Sequence, residues 1–364
     1  MRGVVSRPKG ERISMRVARW AALCLVLLTV FTGVLFGIST AARATPLPPT
    51  VEGWIYPSSL GQPACDVPTE LSNLSSAPIA VLKPEYLTVT NTGRVTTETA
   101  GSLPCNGYSN ANVASVRSAA QRVYVTVSAG TRGTKALLNK SAHRATALSA
   151  ISGFVESNGL NGVDLDFEPN RWSATTWGEF ISFVSALVEN LQTTGRAVEV
   201  DLEPFTTTPW DAQRYGAVAA VGAHVVVMAY DHEFDAPCAP ISPYSWLKQV
   251  VSYAQSQVSA SHLTIGLPAY GYTTTNCKRV ARVTSNVAYV TMKNLPGFPS
   301  TPAAVQSLRD PGSGEIRWSA GGVFHDFVDS SALNAKLAVV EAMGVTDVSV
   351  WSLGGEPWFG GNPS

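Results

Sequence analysis

The chain has 364 residues, 45% of them hydrophobic and 14% charged, which is enough apolar material for one large core rather than several small ones. Its 26 basic and 26 acidic side chains cancel, but seven of the basic ones and a single acidic one fall in the first 44 residues, so the remainder carries a net −6. That charge lacks the electrostatic footprint of a nucleic-acid partner.

At the N-terminus, Arg2, Arg7, Lys9, Arg12, Arg16 and Arg19 precede an apolar run from Trp20 to Ile38, and Ala42-Arg43-Ala44 follows. Basic flank, apolar run and small-residue site in that order predict an export signal cut after Ala44. The run also has the length of a membrane span, so an uncleaved anchor over residues 1–44 is the alternative, and the expected route to any membrane. Either way the catalytic part, residues 45–364, is expected outside the cytoplasm, secreted or anchored. Thr45-Pro-Leu-Pro-Pro49 reads as a short extended linker.

Beyond it, short β-branched runs alternate with longer amphipathic stretches, as βα units around a parallel sheet do. The predicted strands are Val51–Tyr56, Tyr86–Val89, Arg122–Ser128, Gly162–Phe167, Ala197–Leu202, His224–Tyr230, His262–Leu267 and Asp347–Leu353. Eight such units make an α/β protein of the (β/α)8 TIM-barrel type. After the fourth strand, Ser173 caps a helix whose stripe Trp177, Ile181, Val184, Leu187, Val188 and Leu191 packs on the outside of the barrel, and Gly195 ends it. A similar stripe, Leu333, Leu337 and Val340, leads through Gly344 into the last strand. The stretch Tyr270–Ser330 is too long for a plain connection and predicts a short insertion between strands 7 and 8, beside the active face.

Asn161-Gly-Val-Asp-Leu-Asp-Phe-Glu168 is the most informative segment. Strand side chains alternate faces, so Asp164, Asp166 and Glu168 point one way while Val163, Leu165 and Phe167 point the other. In a barrel the carboxylates then line the interior, where they shift one another's protonation. The bland alternative, a charged face on a half-exposed antiparallel strand, needs a fold without the βα alternation. The C-terminal end of a barrel strand is also where catalytic groups sit.

This segment resembles the D-G-x-D-x-D-x-E signature of glycoside hydrolase family 18, with Asn161 in place of the first Asp. In the expected order, Val227-Met-Ala-Tyr-Asp231 resembles the family's sixth-strand motif, Gly266-Leu-Pro-Ala-Tyr-Gly271 its seventh and Val350-Trp-Ser-Leu353 its eighth; Val125-Thr-Val-Ser-Ala-Gly130 is a looser match to the third. The layout from Ser245-Trp246 to the final helix looks most like the bacterial spore-cortex and cell-wall lytic branch, without the larger insertion of processive chitinases. The resemblance implies a retaining glycosidase of β-linked N-acetylglucosamine polymers that uses no cofactor or metal and takes its nucleophile from the substrate's acetamido group. Glu168 is then the general acid/base, Asp166 orients the acetamide, Asp164 shares a proton with Asp166, and Tyr230 hydrogen-bonds the acetamide. Met228, Asp231 and Tyr270 are implied substrate contacts, and Trp351 the stacking platform under a sugar. A catalytically silent sugar-binding barrel is the rival; silent members usually lose the final Glu, and Glu168 is present. The protein is expected to be a monomer.

Cys65, Cys105, Cys238 and Cys277 make an even count outside the export segment, which suggests disulfides rather than a metal site. Because they follow neighbouring strands, bridges 65–105 and 238–277 are expected among the three connectivities. No C-x-x-C spacing or G-x-S-x-G elbow is present, so neither zinc nor a serine nucleophile is expected.

Overall fold

The computed structural model describes residues 50–55, 79–98, 107–232, 238–275, 285–287 and 293–353. In chain order the first half comprises β1 (Thr50–Ile55), β2 (Ile79–Val89), β3 (Val95–Thr97), α1 (Asn110–Ala119), β4 (Arg122–Gly130), α2 (Thr131–Leu138), α3 (Ser141–Ser157), β5 (Gly162–Glu168) and α4 (Ala174–Gln192). Then come β6 (Ala197–Leu202), α5 (Tyr215–Ala220), β7 (His224–Met228), α6 (Tyr244–Gln257), β8 (Leu263–Pro268), β9 (Gly271–Thr274) and β10 (Ser285–Val287). The described part ends with α7 (Pro302–Gln306), β11 (Ile316–Ala320), β12 (Val323–Phe327), α8 (Ser330–Ala342) and β13 (Asp347–Leu353).

Parallel pairing runs β1-β13-β8-β7-β6-β5-β4-β2, and β2 pairs back onto β1, so eight strands close into a barrel. The closure places each predicted strand in the barrel, with several boundaries shifted by one or two residues and one, at the start of the second strand, by seven. The second strand begins at Ile79 rather than Tyr86, because Lys83-Pro84-Glu85 interrupts the apolar run that marks a strand in sequence. The sixth stops at Met228, where the amide of Tyr230 donates to the Met228 carbonyl and turns the backbone out of the ladder.

The outward faces carry the core. Phe167 of β5 packs on Phe180 and Phe183 of α4, with ring centroids 5.4 and 6.4 Å apart. Trp177, Val184, Leu187, Val188 and Leu191 are buried along the same helix, each contributing roughly 1.5–3 kcal/mol of burial. Ser173 accepts from the Thr176 amide as its N-cap, and Gly195 takes φ +69 just beyond its end. Ile181 is only partly buried, at the edge of the stripe.

The insertion after β8 is not an irregular loop: β10-β9-β12-β11 form an antiparallel sheet, and Ile316, Trp318 and Phe327 make a small core of their own. Its alternation is hard to see in sequence because Gly, Pro, Thr and Ser dilute it. Ion pairs fasten this region, among them those of Arg309, Arg317 and Lys336. Arg309 grips Asp329, the N-cap of α8, with two bonds of 2.9 and 2.7 Å. Lys336 of α8 meets Glu315 at 2.8 Å with both side chains fully buried, and Glu315 accepts from the amides of Ile241 and Ser242.

Candidate active site

Strand register brings Asp164 level with Thr126 of β4 and Glu199 of β6, and Asp166 level with Ser128. The three acids of β5 therefore climb one interior wall. Asp164, the deepest, is fully buried; its Oδ2 accepts from the Trp54 indole N–H and the Thr126 hydroxyl, each at 2.8 Å, and the Lys83 ammonium lies 3.6 Å from Oδ1. Asp166 is half-buried and Glu168 opens to solvent at the top. Burial first, then the Glu168, Glu85 and Asp164 carboxylates, push the pKa of Asp166 well above the ordinary aspartate value. Desolvation within the cleft, followed by Asp231, raises that of Glu168. Two neighbouring acids that favour their protonated forms are suited to proton donation.

Glu168 borders a cleft of about 490 Å³ whose walls include Glu203, Phe205, Trp210, Met228, Tyr230, Asp231 and Trp246. Tyr230 is buried, and desolvation together with the surrounding carboxylates keeps its hydroxyl protonated as a donor. Its ring has room because residue 266 is glycine: a Cβ there would sit 3.2 Å from Tyr230 Cε1 and from the Met228 Cα. Asp231 takes φ 65, a conformation Asp tolerates better than most side chains. Its Oδ1 accepts from the Tyr270 hydroxyl and, at 2.7 Å, from the Tyr272 hydroxyl. Burial raises the Asp231 pKa, and these two hydrogen bonds oppose the rise.

Of the residues singled out in the sequence, Glu168, Met228, Tyr230 and Asp231 share the cleft, with Asp166 and Asp164 beneath Glu168. Tyr270 stands behind Asp231, while Trp351 packs edge-on against Trp54 with centroids 5.8 Å apart. The donors to Asp164 Oδ2 come from β1 and β4. Cys238 is disulfide-bonded; Cys65, Cys105 and Cys277, like residues 1–44, lie outside the described residues.

The structure adds residues that the motifs do not flag. Ala197-Val-Glu-Val-Asp-Leu202 carries the same alternation as β5, and the same rule places Glu199 and Asp201 inside the barrel, where both are buried. Glu52 and Lys83 join them, and Glu85 is raised to about 7 by burial. Trp210 is 62% exposed on the rim of the cleft, with the Arg171 guanidinium 5.8 Å from its ring centroid. Among the described residues no group of three or more His, Cys, Asp or Glu side chains is arranged to hold a metal ion.

Comparison with known proteins gives concordant findings. The model of the family "Glycosyl hydrolases family 18" matches residues 69–356. YdhD of Bacillus subtilis (strain 168), a candidate sporulation-specific glycosylase, is 29% identical over 140 residues; the match spans 37% of this chain and 33% of that protein, about a third of the curated relative's length. The spore cortex-lytic enzyme SleL of Bacillus megaterium QM B1551 superposes with a TM-score of 0.66 at 18% identity, over 86% of this chain and 73% of that one. A chitinase of Chromobacterium violaceum ATCC 12472 gives 0.66 at 18% identity, over 85% and 95%. At these identities the two structures speak to the fold.

Proposed function

The chain belongs to glycoside hydrolase family 18, and from that premise we propose that it hydrolyses β-linked N-acetylglucosamine polymers with the substrate's own acetamido oxygen as nucleophile. The observation that carries this reading is the stacking of Asp164, Asp166 and Glu168 on one face of one strand, beneath a cleft shared with Tyr230 and Asp231. Carboxyls on a single strand do not flank a sugar ring from opposite faces, as a pair of acid and enzyme nucleophile must.

In this reaction Glu168 gives its proton to the leaving glycosidic oxygen as the acetamido carbonyl attacks the anomeric carbon, producing an oxazolinium ion. Asp166 orients the acetamide and balances the charge that develops on it, and the Tyr230 hydroxyl donates to the acetamide oxygen. Glu168 then takes a proton from water as the ring opens, and two inversions return the β configuration. The exposed indole of Trp210 gives a sugar ring a flat apolar surface at the rim. We further propose export, supported by the order of basic, apolar and small residues within residues 1–44.

The test is a substrate series. Acetylated chitooligosaccharides or peptidoglycan glycan strands should release a product that first appears as the β anomer, and fully deacetylated oligomers should be inert because the intramolecular nucleophile is gone. Rapid hydrolysis of a deacetylated oligomer, or an α-configured first product, would overturn the mechanism. Tight binding of acetylated oligomers without turnover would make the protein a sugar-binding barrel instead.

A further inference from the structure

The charged groups of the cleft are divided by sign between its walls and its rim. Glu168, Glu203 and Asp231 line it, and among the described residues no Lys, Arg or His does. At the rim the sign reverses: Arg171, in the turn that leaves β5 after Glu168, is exposed, and its guanidinium lies 5.8 Å from the ring centroid of Trp210. The described ion pairs engage Arg144, Arg309 and Arg317 with carboxylates, but not Arg171.

The backbone on either side of Arg171 is pinned. Before it, the Asn170 amide donates to the Thr131 hydroxyl at 2.9 Å, and that hydroxyl donates to Asn170 Oδ1 at 3.0 Å. After it, the amide of the buried Trp172 donates to Asp211 Oδ2 at 3.0 Å, and the Ala212 amide returns to the Trp172 carbonyl at 3.1 Å. Asp211 Oδ1 also accepts from the Gln213 amide, so the same aspartate shapes the loop that carries Trp210. The turn after β5 and the loop after β6 are thereby joined, and Arg171 and Trp210 are the side chains that this junction presents at the mouth. Even with the guanidinium against it, the indole is 62% exposed.

An exposed indole takes the apolar face of a sugar, and a guanidinium held beside it suits a substituent that carries a carboxylate, which its planar fork can grip with two hydrogen bonds. The acids of the cleft walls repel such a substituent from the cutting position, so attraction is confined to the rim. We propose that Arg171 and Trp210 form a rim site for a carboxylate-bearing sugar, and that the polymer cut here is one in which N-acetylglucosamine alternates with an acidic sugar, as in the glycan of peptidoglycan, rather than the neutral chain of chitin. The proposal rests on the hydrolase reading above and names its substrate.

The experiment compares two peptide-free tetrasaccharides of alternating N-acetylglucosamine and N-acetylmuramic acid, one with free lactyl carboxylates and the other with those groups converted to methyl amides. The readout is the ratio of kcat/KM for the acid to that for the amide, which cancels effects common to both. In the wild type this ratio should be at least about 5 at low ionic strength and should fall as salt is added, as expected of a pair at the surface. In Arg171→Gln it should approach 1 at any salt concentration, and in Trp210→Ala, where the guanidinium loses its seat, it should also fall. A wild-type ratio below about 2, an Arg171→Gln ratio equal to that of the wild type, or faster cleavage of chitotetraose than of the free-acid tetrasaccharide would overturn the proposal. Absence of turnover on all three oligomers would remove the hydrolase reading instead. The ratio of calorimetric Kd values for acid and amide, compared between wild type and Arg171→Gln, would then still decide for or against the rim site.

Discussion

Glu168→Gln keeps the shape of the side chain and removes its ability to deliver a proton, so turnover of an acetylated oligomer should drop by at least about 100-fold with binding largely preserved. Wild-type rates in that variant would take Glu168 out of the mechanism. Tyr272 offers a finer probe. Its hydroxyl holds Asp231 at 2.7 Å from within the insertion sheet, alongside Tyr270. A hydrogen bond to a carboxylate is worth about 1.5–3 kcal/mol, so Tyr272→Phe should reduce kcat/KM by about 10- to 100-fold while lowering the melting temperature by only a few degrees. Equal losses in rate and stability would mean that the tyrosine only packs.

At the level of elements, the segment after β7 is tied to the last helix through Glu315 and Lys336. Glu315 accepts from two amides at Ile241 and Ser242, and Lys336 also donates to the carbonyls of Ser242 and Ser313. Lys336→Met leaves a buried carboxylate without its counter-charge, a change that costs about 3–5 kcal/mol, so the denaturant midpoint should fall sharply. A midpoint within error of the wild type would show that Glu315 is satisfied without the lysine. The same contrast between local pattern and distant pairing explains how much of the molecule was legible beforehand. Strand β5 and helix α4 follow from alternation and a 3.6-residue stripe, and so does the placement of Asp164, Asp166 and Glu168. The first half of β2 escapes such reading, because Lys83 and Glu85 look like surface residues until partners from β1, β5 and β6 surround them. Tyr272 escapes for a related reason: nothing near it in sequence marks a hydroxyl aimed at a residue 41 positions earlier.

For the molecule as a whole, an interior so rich in acids makes stability depend on pH. Glu85 is raised from 4.5 to about 7, with burial as the first cause, so between those values the folded protein retains a proton that the unfolded chain has released. Stability therefore declines as pH rises through that window, by on the order of 1–3 kcal/mol from this one group. Thermal melts from pH 4.5 to 7.5 should show the decline, and Glu85→Gln should flatten it. A slope unaffected by that substitution would place the effect on other carboxyls.

Barrel closure joins Thr50 of β1 to Asp347 of β13, and the cleft is built from the tyrosines that follow β8, which hold Asp231, as well as from the acids of β5. A chain that emerges N-terminus first thus presents Glu168 long before it presents the side chains that hold Asp231 in place. Under the proposed reaction, a chain that lacks the last strand is expected to release no sugar, because the acids and the tyrosines act together only once the barrel has closed.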